Sequence, residues 1–171
     1  MPATRTEAVV LRDDGAIPNN PDLPLIVQRG ALAGETDMAT AFERLFERNG
    51  WGGGWRASIY THHHYHSTAH EALGIAAGHA TVQFGGEPGV VLEVRAGDVV
   101  VIPAGVGHKN LGASGDFLVV GAYPRGQQPD MNTGRAEERA RALENIRRVP
   151  LPAMDPVHGP DGPLVREWGR R

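Results

Sequence analysis

Two rhythms of apolar residues divide the chain. From Met38, the residues Ala41, Phe42, Leu45 and Phe46 recur at helical spacing, with Thr36 or Asp37 placed to cap the start and Gly50 to end the run. That pattern predicts one amphipathic helix. Beyond Trp55 the period shortens to that of strands, with β-like runs near 55–66, 71–77, 79–84, 90–94, 99–102 and 117–123. Turn residues separate them: Gly78, Gly85-Gly86-Glu87-Pro88-Gly89, Ala96-Gly97-Asp98, and the stretch from Gly112 to Asp116. Short, evenly spaced strands joined in this way predict an all-β sandwich or barrel and argue against a parallel α/β sheet.

The flanks read differently. Asp13-Asp14-Gly15 to Asn19-Asn20-Pro21 is dense in turn residues, and Leu25-Ile26-Val27 is the first short β-like run, so the start of the chain reads as an entry arm. Trp51-Gly52-Gly53-Gly54-Trp55 is either a flexible hinge near the mouth of a pocket or a turn between two core tryptophans. From Thr133, residues 134–148 carry charges of both signs around a thin apolar stripe of Ala136, Ala140, Leu143 and Ile146, which predicts a second helix. Pro150 to Pro163 is too rich in proline for helix or central strand, and is expected to form an extended strap anchored by Leu164, Val165 and Trp168. The expected organisation is one domain in three parts. Residues 1–54 form the arm and a helix packed on the barrel, 55–124 the barrel core, and 125–171 the second helix and the strap.

Composition narrows the function classes. A chain of 171 residues with 40% hydrophobic content can bury a single core, roughly 70% of its unfolded surface. A net charge of −3 and the absence of any Lys/Arg cluster leave no electrostatic footprint for nucleic acid. Met1 to Gly15 lacks the basic-then-apolar pattern of a secretion signal, and no long apolar run suggests a membrane span, so a cytoplasmic, non-membrane protein is expected. With no cysteine in the chain, His, Asp and Glu are left as the strong metal ligands.

Candidate chemistry then concentrates in His64-Tyr65-His66-Ser67-Thr68-Ala69-His70-Glu71. Imidazoles two residues apart on an extended strand share one face, so His64 and His66 can grip one ion while Tyr65 turns away. A carboxylate or imidazole a short turn later, with His108 arriving after Pro103-Ala104-Gly105-Val106-Gly107, would complete a set suited to a divalent transition metal. Tyr60 and His62 share parity with His64 and either line the same cavity, fill the barrel or twist out of it. His63 and Tyr65 are expected to face outward, and His79 and His158 to be surface or turn residues.

The same residues resemble the cupin superfamily, whose two motifs run G(x)5HxH(x)3–4E(x)6G and G(x)5PxG(x)2H(x)3N. Here the first is matched by His64, His66, Glu71 and Gly78, and the second by Gly97, Pro103, Gly105 and His108. Ser58 stands where the first motif opens with glycine, and Gly112 where the second closes with asparagine, Asn110 lying nearby. Asp13-Asp14-Gly15, Ile17-Pro18-Asn19-Asn20-Pro21, His70-Glu71 and the Pro150-Leu151-Pro152, Asp155-Pro156 and Gly162-Pro163-Leu164 tail are similar to the bacterial YjlB-type single-domain (RmlC-like) cupins, a group of unassigned activity.

The resemblance implies a double-stranded β-helix, that is, a jelly-roll barrel, with N- and C-terminal helical or extended additions. It implies metal ligands His64, His66, Glu71 and His108, with His70 as the alternative fourth ligand because some small cupins use four histidines. It also implies Fe, Mn, Ni, Co or Zn as the metal, with about two positions of an octahedron left open. The activity it suggests first is that of a dioxygenase-like oxidoreductase, with Glu71 doubling as catalytic base and a small molecule and O2 as partners. A metal-dependent isomerase or a non-catalytic ligand-binding protein is the alternative. Cupins commonly pair through sheet edges, which implies a homodimer.

Overall fold

The strand-period half of the chain folds as two antiparallel sheets. The computed structural model describes residues 5–169. In chain order the strands are β1 (Arg5–Leu11), β2 (Asn20–Arg29), β3 (Trp51–Ala57), β4 (Glu71–Ala77), β5 (His79–Phe84), β6 (Val90–Arg95), β7 (Val99–Ile102), β8 (His108–Ala113) and β9 (Leu118–Pro124). The larger sheet has the order β1-β2-β7-β4-β9-β3, and the smaller has the order β6-β5-β8. Three helices flank them: α1 (Met38–Arg48), α2 (Arg139–Arg148) and α3 (Pro163–Trp168).

Alternation along the strands of the larger sheet assigns its faces. Leu25, Val27, Leu73, Ile75, Val100 and Val119 meet Ala80, Val82, Phe84 and Val94 of the smaller sheet in one apolar cluster. Ile26, Ala72, Val101, Val120 and Ala122 point the other way, onto Phe42, Leu45 and Phe46 of α1 and onto Leu164 and Trp168 of α3. The larger sheet is therefore covered on both sides. This explains why the β7 sequence Val-Val-Val-Ile, residues 99–102, is apolar and buried at every position instead of alternating. α1 follows the predicted spacing, and its Asp37 cap accepts from the Thr40 amide at 3.1 Å. Gly74 lets it approach β4, because a Cβ there would lie 2.7 Å from the Phe42 ring.

The expected jelly-roll barrel is not formed. The all-β core and a jelly-roll-like strand order are present, but neither sheet closes on itself or on the other. The reason lies after Ala57, where the expected strand 55–66 ends: residues 58–63 form no strand, and the chain meets β8 only in scattered bonds, the Asn110 amide to the Tyr60 carbonyl at 2.9 Å, the Asn110 side chain to the Ile59 carbonyl at 3.3 Å and an isolated bridge between His64 and His108. β3 and β8 thus stay edges.

Three other segments differ from expectation. Trp51–Ala57 is neither hinge nor turn but an edge strand on β9, with an irregularity between Gly52 and Trp55. The indole of Trp55 lies across Gly121, where a Cβ would stand 2.1 Å from the ring, so the glycine makes room for it. The entry arm contributes β1 and β2, and the end of the strap winds into α3, with Pro163 in its first turn and the Trp168 indole N–H donating to the Pro24 carbonyl at 2.9 Å. The second helix begins with a 3-10 turn at Ala136–Glu138 that runs into α2.

Candidate metal centre

His64, His66 and His108 come together although 44 positions separate the first from the last. All three are buried, and one ring nitrogen of each lies within 4.8 Å of the others. The ring centres of His64 and His108 are 4.0 Å apart, and that of His66 lies 5.6 and 5.7 Å from them. Extended backbone around Tyr65 turns His64 and His66 to one side, and the Pro103–Gly107 turn delivers His108 at the start of β8.

Backbone carbonyls fix the tautomer of each ring. Nδ1 of His66 lies 2.6 Å from the Asp130 carbonyl, Nδ1 of His108 3.2 Å from that of Val106, and Nδ1 of His64 3.4 Å from that of His62. A carbonyl only accepts, so Nδ1 donates in all three, which leaves each Nε2 its lone pair, and Nε2 of His66 and of His108 faces Glu71. Asp130 is itself held, its carboxylate accepting from the Ser67 amide and hydroxyl and from the Asn132 side chain.

Glu71 opens β4 with its side chain on the same face as Leu73 and Ile75, toward the imidazoles. Its Oε1 lies 3.4 Å from Nε2 of His66 and 3.3 Å from Nε2 of His108, yet among the described residues no protein hydrogen-bond donor reaches that oxygen. Three acceptor atoms therefore face one point in a buried site. A positive charge there, either a proton or a metal ion, would relieve the arrangement.

The electrostatics agree. Burial, with His108 and His66 adding to it, pulls the pKa of His64 down to about 3, so its ring is the neutral ligand form. For His66 burial acts downward as well, but the Glu71 carboxylate and the Asp130 carbonyl outweigh it and the net shift is upward. For Glu71 burial acts upward, and the His108 and His66 rings beside it outweigh that, holding the carboxyl below its usual range.

His70, the alternative fourth ligand, occupies the opposite face. Neighbouring residues on extended chain point apart, and its ring packs against Trp168 at 4.7 Å between centres while Nδ1 accepts from the Ala104 amide at 2.9 Å. Tyr65 does not face solvent as expected: it is fully buried between Ile17 and Ala142 under α2, and burial first, then the charge of Glu138, pushes its hydroxyl up to about 12. Tyr60 stands exposed at the rim and stacks on His62, with ring centres 5.1 Å apart, and His79 and His158 are exposed as expected.

The cluster forms the floor of a cavity of about 460 Å3 whose walls include Trp55, Ile59, Leu73 and Tyr123. Tyr123 was not among the sequence candidates. The Trp55 indole N–H donates to its hydroxyl at 2.7 Å, leaving the phenol proton available. Burial, and after it the charge of Glu71, raises the phenol above its ordinary pKa and keeps it protonated. The signal was in the sequence: Tyr123 has the parity of Val119 on β9, and Val119 points between the sheets.

A jelly-roll-like strand order carrying a three-imidazole cluster with an adjoining glutamate, on the motif spacing of His64, His66, Glu71 and His108, defines a cupin-fold (RmlC-like) protein. The chain is 48% identical over 163 residues to the uncharacterized protein YjlB of Bacillus subtilis (strain 168), covering 95% of this chain and 96% of that one. It belongs to the YjlB family. Among solved structures it is similar to the dTDP-6-deoxy-D-glucose-3,5-epimerase RmlC from Legionella pneumophila Philadelphia 1, at 15% identity and a TM-score of 0.40, covering 70% of this chain and 71% of that one. It is also similar to a cupin 2 domain-containing protein from Halorhodospira halophila, at 16% identity and a TM-score of 0.37, covering 86% and 83%. Likeness at these scores transfers neither activity nor ligand. No protein-family model matches the chain. Among the described residues no helix is long and apolar enough to cross a membrane.

Proposed function

We propose that the protein is a metal-dependent, dioxygenase-like oxidoreductase acting on a small molecule, with His64, His66, His108 and Glu71 holding a divalent transition metal. One observation carries this reading: a buried carboxylate oxygen without a donor, faced by imidazole lone pairs, at the floor of an open cavity. A structural zinc site would be closed by its ligands, whereas this one borders a space that admits a guest. The donor set of nitrogen and carboxylate oxygen suits Fe, Mn, Ni, Co or Zn. When bound, such an ion supplies Lewis-acid polarisation and, if redox-active, electron transfer at its remaining positions.

The chain's own groups do the rest. Three carbonyls aim the imidazoles, burial holds the His64 ring neutral, Glu71 accepts a proton from a bound hydroxyl, and the apolar walls exclude water. Tyr123 donates its phenol proton to a ligand oxygen beside Glu71. That acid and base pair favours the second reading, a metal-dependent isomerase that moves a proton between neighbouring carbons. The homodimer and the cytoplasmic location belong to the same proposal, as does the division at 54 and 124 within one domain. Light scattering and cell fractionation test the first two.

Reconstitution with each metal, followed by O2 consumption across diols, keto acids and flavonols, decides between the readings. Uptake dependent on metal and substrate is expected. Turnover without uptake favours the isomerase, and chelation without turnover a binding protein.

A further inference from the structure

The cavity's lining says what kind of molecule fits. Among the described residues that border it there is no lysine or arginine, and Glu71 is the one carboxylate. Lys109, next to His108 on β8, alternates to the other side of the strand and lies 3.8 Å from Glu87. A ligand group carrying a negative charge away from the floor would therefore lose its water without meeting a cation, close to an anion that is already buried.

The walls favour flat, apolar surfaces. The Trp55 indole is pinned by its bond to the Tyr123 hydroxyl and backed by Gly121, so it presents a fixed face. Tyr60 adds an aromatic ring at the rim, stacked on His62 and edge-on to His64 at 5.1 Å. Met131, also exposed at the rim, can shift to fit what enters. A volume of about 460 Å3 lies in the lower part of the range of small-molecule sites, about 300–1,000 Å3.

We infer that the ligand chelates through two adjacent oxygens and carries a flat, uncharged body, and that a second anionic group such as a sulfonate, carboxylate or phosphate is rejected. The chelating pair rests on the metal reading above. The uncharged body rests on the walls alone.

The test uses the full chain loaded with cobalt(II) and freed of excess metal, with two catechols that differ in one substituent. Binding of 4-tert-butylcatechol and of catechol-4-sulfonate is followed by the visible cobalt spectrum and by tryptophan fluorescence. The uncharged probe is expected to bind at least tenfold more tightly. Met131→Arg, an exposed rim change that leaves the core intact, is expected to raise sulfonate affinity at least tenfold. Equal affinities, binding of neither probe to the loaded protein, or no gain in Met131→Arg would each overturn the inference while the metal site stands. Failure of cobalt to bind would overturn the metal reading and the chelating pair with it.

Discussion

Glu71 and Asp155 are both buried carboxylates, and their surroundings are opposite. Asp155 is fully buried, and donors meet both of its oxygens: the Gln28 amide at 3.1 and 3.0 Å, the Val157 and His158 backbone N–H groups at 2.8 and 3.0 Å, and that of Leu164 at 3.0 Å. It ties the strap and the start of α3 to β2. Glu71 has an oxygen that no protein donor among the described residues reaches, and Nε2 of His66 and of His108 faces it. A buried carboxylate with its donors supplied is a structural knot. One that converges with imidazole lone pairs beside a cavity is a place for a cation.

The sharpest way to break this contrast is to truncate the knot. Asp155→Ala strips four N–H donor groups of their shared acceptor and is expected to cost about 3–5 kcal/mol. Urea denaturation measures it, and metal bound per folded chain should not change. A loss below ~1 kcal/mol would remove Asp155 from its structural role. Gly121→Ala comes next. Its Cβ has no room beside Trp55, so the ring must shift, at an expected cost of about 1–3 kcal/mol. Ligand affinity should fall while metal content holds.

Glu71→Gln turns the comparison around. The new amide can donate to Nε2 of His66 or His108, so at about pH 9, well above the ordinary imidazole range, the metal-free protein should lose less than ~1 kcal/mol or become more stable. Metal affinity should drop at least tenfold, read by competition with a chromophoric chelator. A stability loss as large as that of Asp155→Ala would contradict the assignment. The smallest effect is expected from Asp130→Ala. It frees the segment whose carbonyl aims His66 and should weaken metal binding about threefold to tenfold, with Asp130→Asn recovering part of it.

How far the sequence foretold these two regions follows from how each is built. The metal-site candidates were legible because their positions follow local rules. Alternation sends His64 and His66 one way, the same rule separates Glu71 from His70, and glycine and proline mark the turn before His108. β4, β5 and β7 were legible because turn residues bound each run: Gly78, Gly85-Gly86, and Ala96-Gly97-Asp98 with Pro103.

The knot was not, because its donors come from β2, the strap and α3, and no short-range pattern links Gln28 to Asp155. The open sheets were missed because Tyr60, His62 and His64 keep strand parity through residues 58–63, where the backbone has already left the ladder. Tyr65 was assigned to the surface by alternation alone, whereas α2 covers that side. β1 escaped because its alternation is weak and its side chains are largely exposed.

The central claim is that His64, His66 and His108 hold one cation between them. Isothermal titration of the metal-stripped chain with cobalt(II), beside the His64→Ala, His108→Ala double variant, tests it most directly. One ion bound per chain, with affinity lost at least a hundredfold in a double variant that still folds, is the predicted result. Equal binding by the two proteins, or none by either, would contradict it.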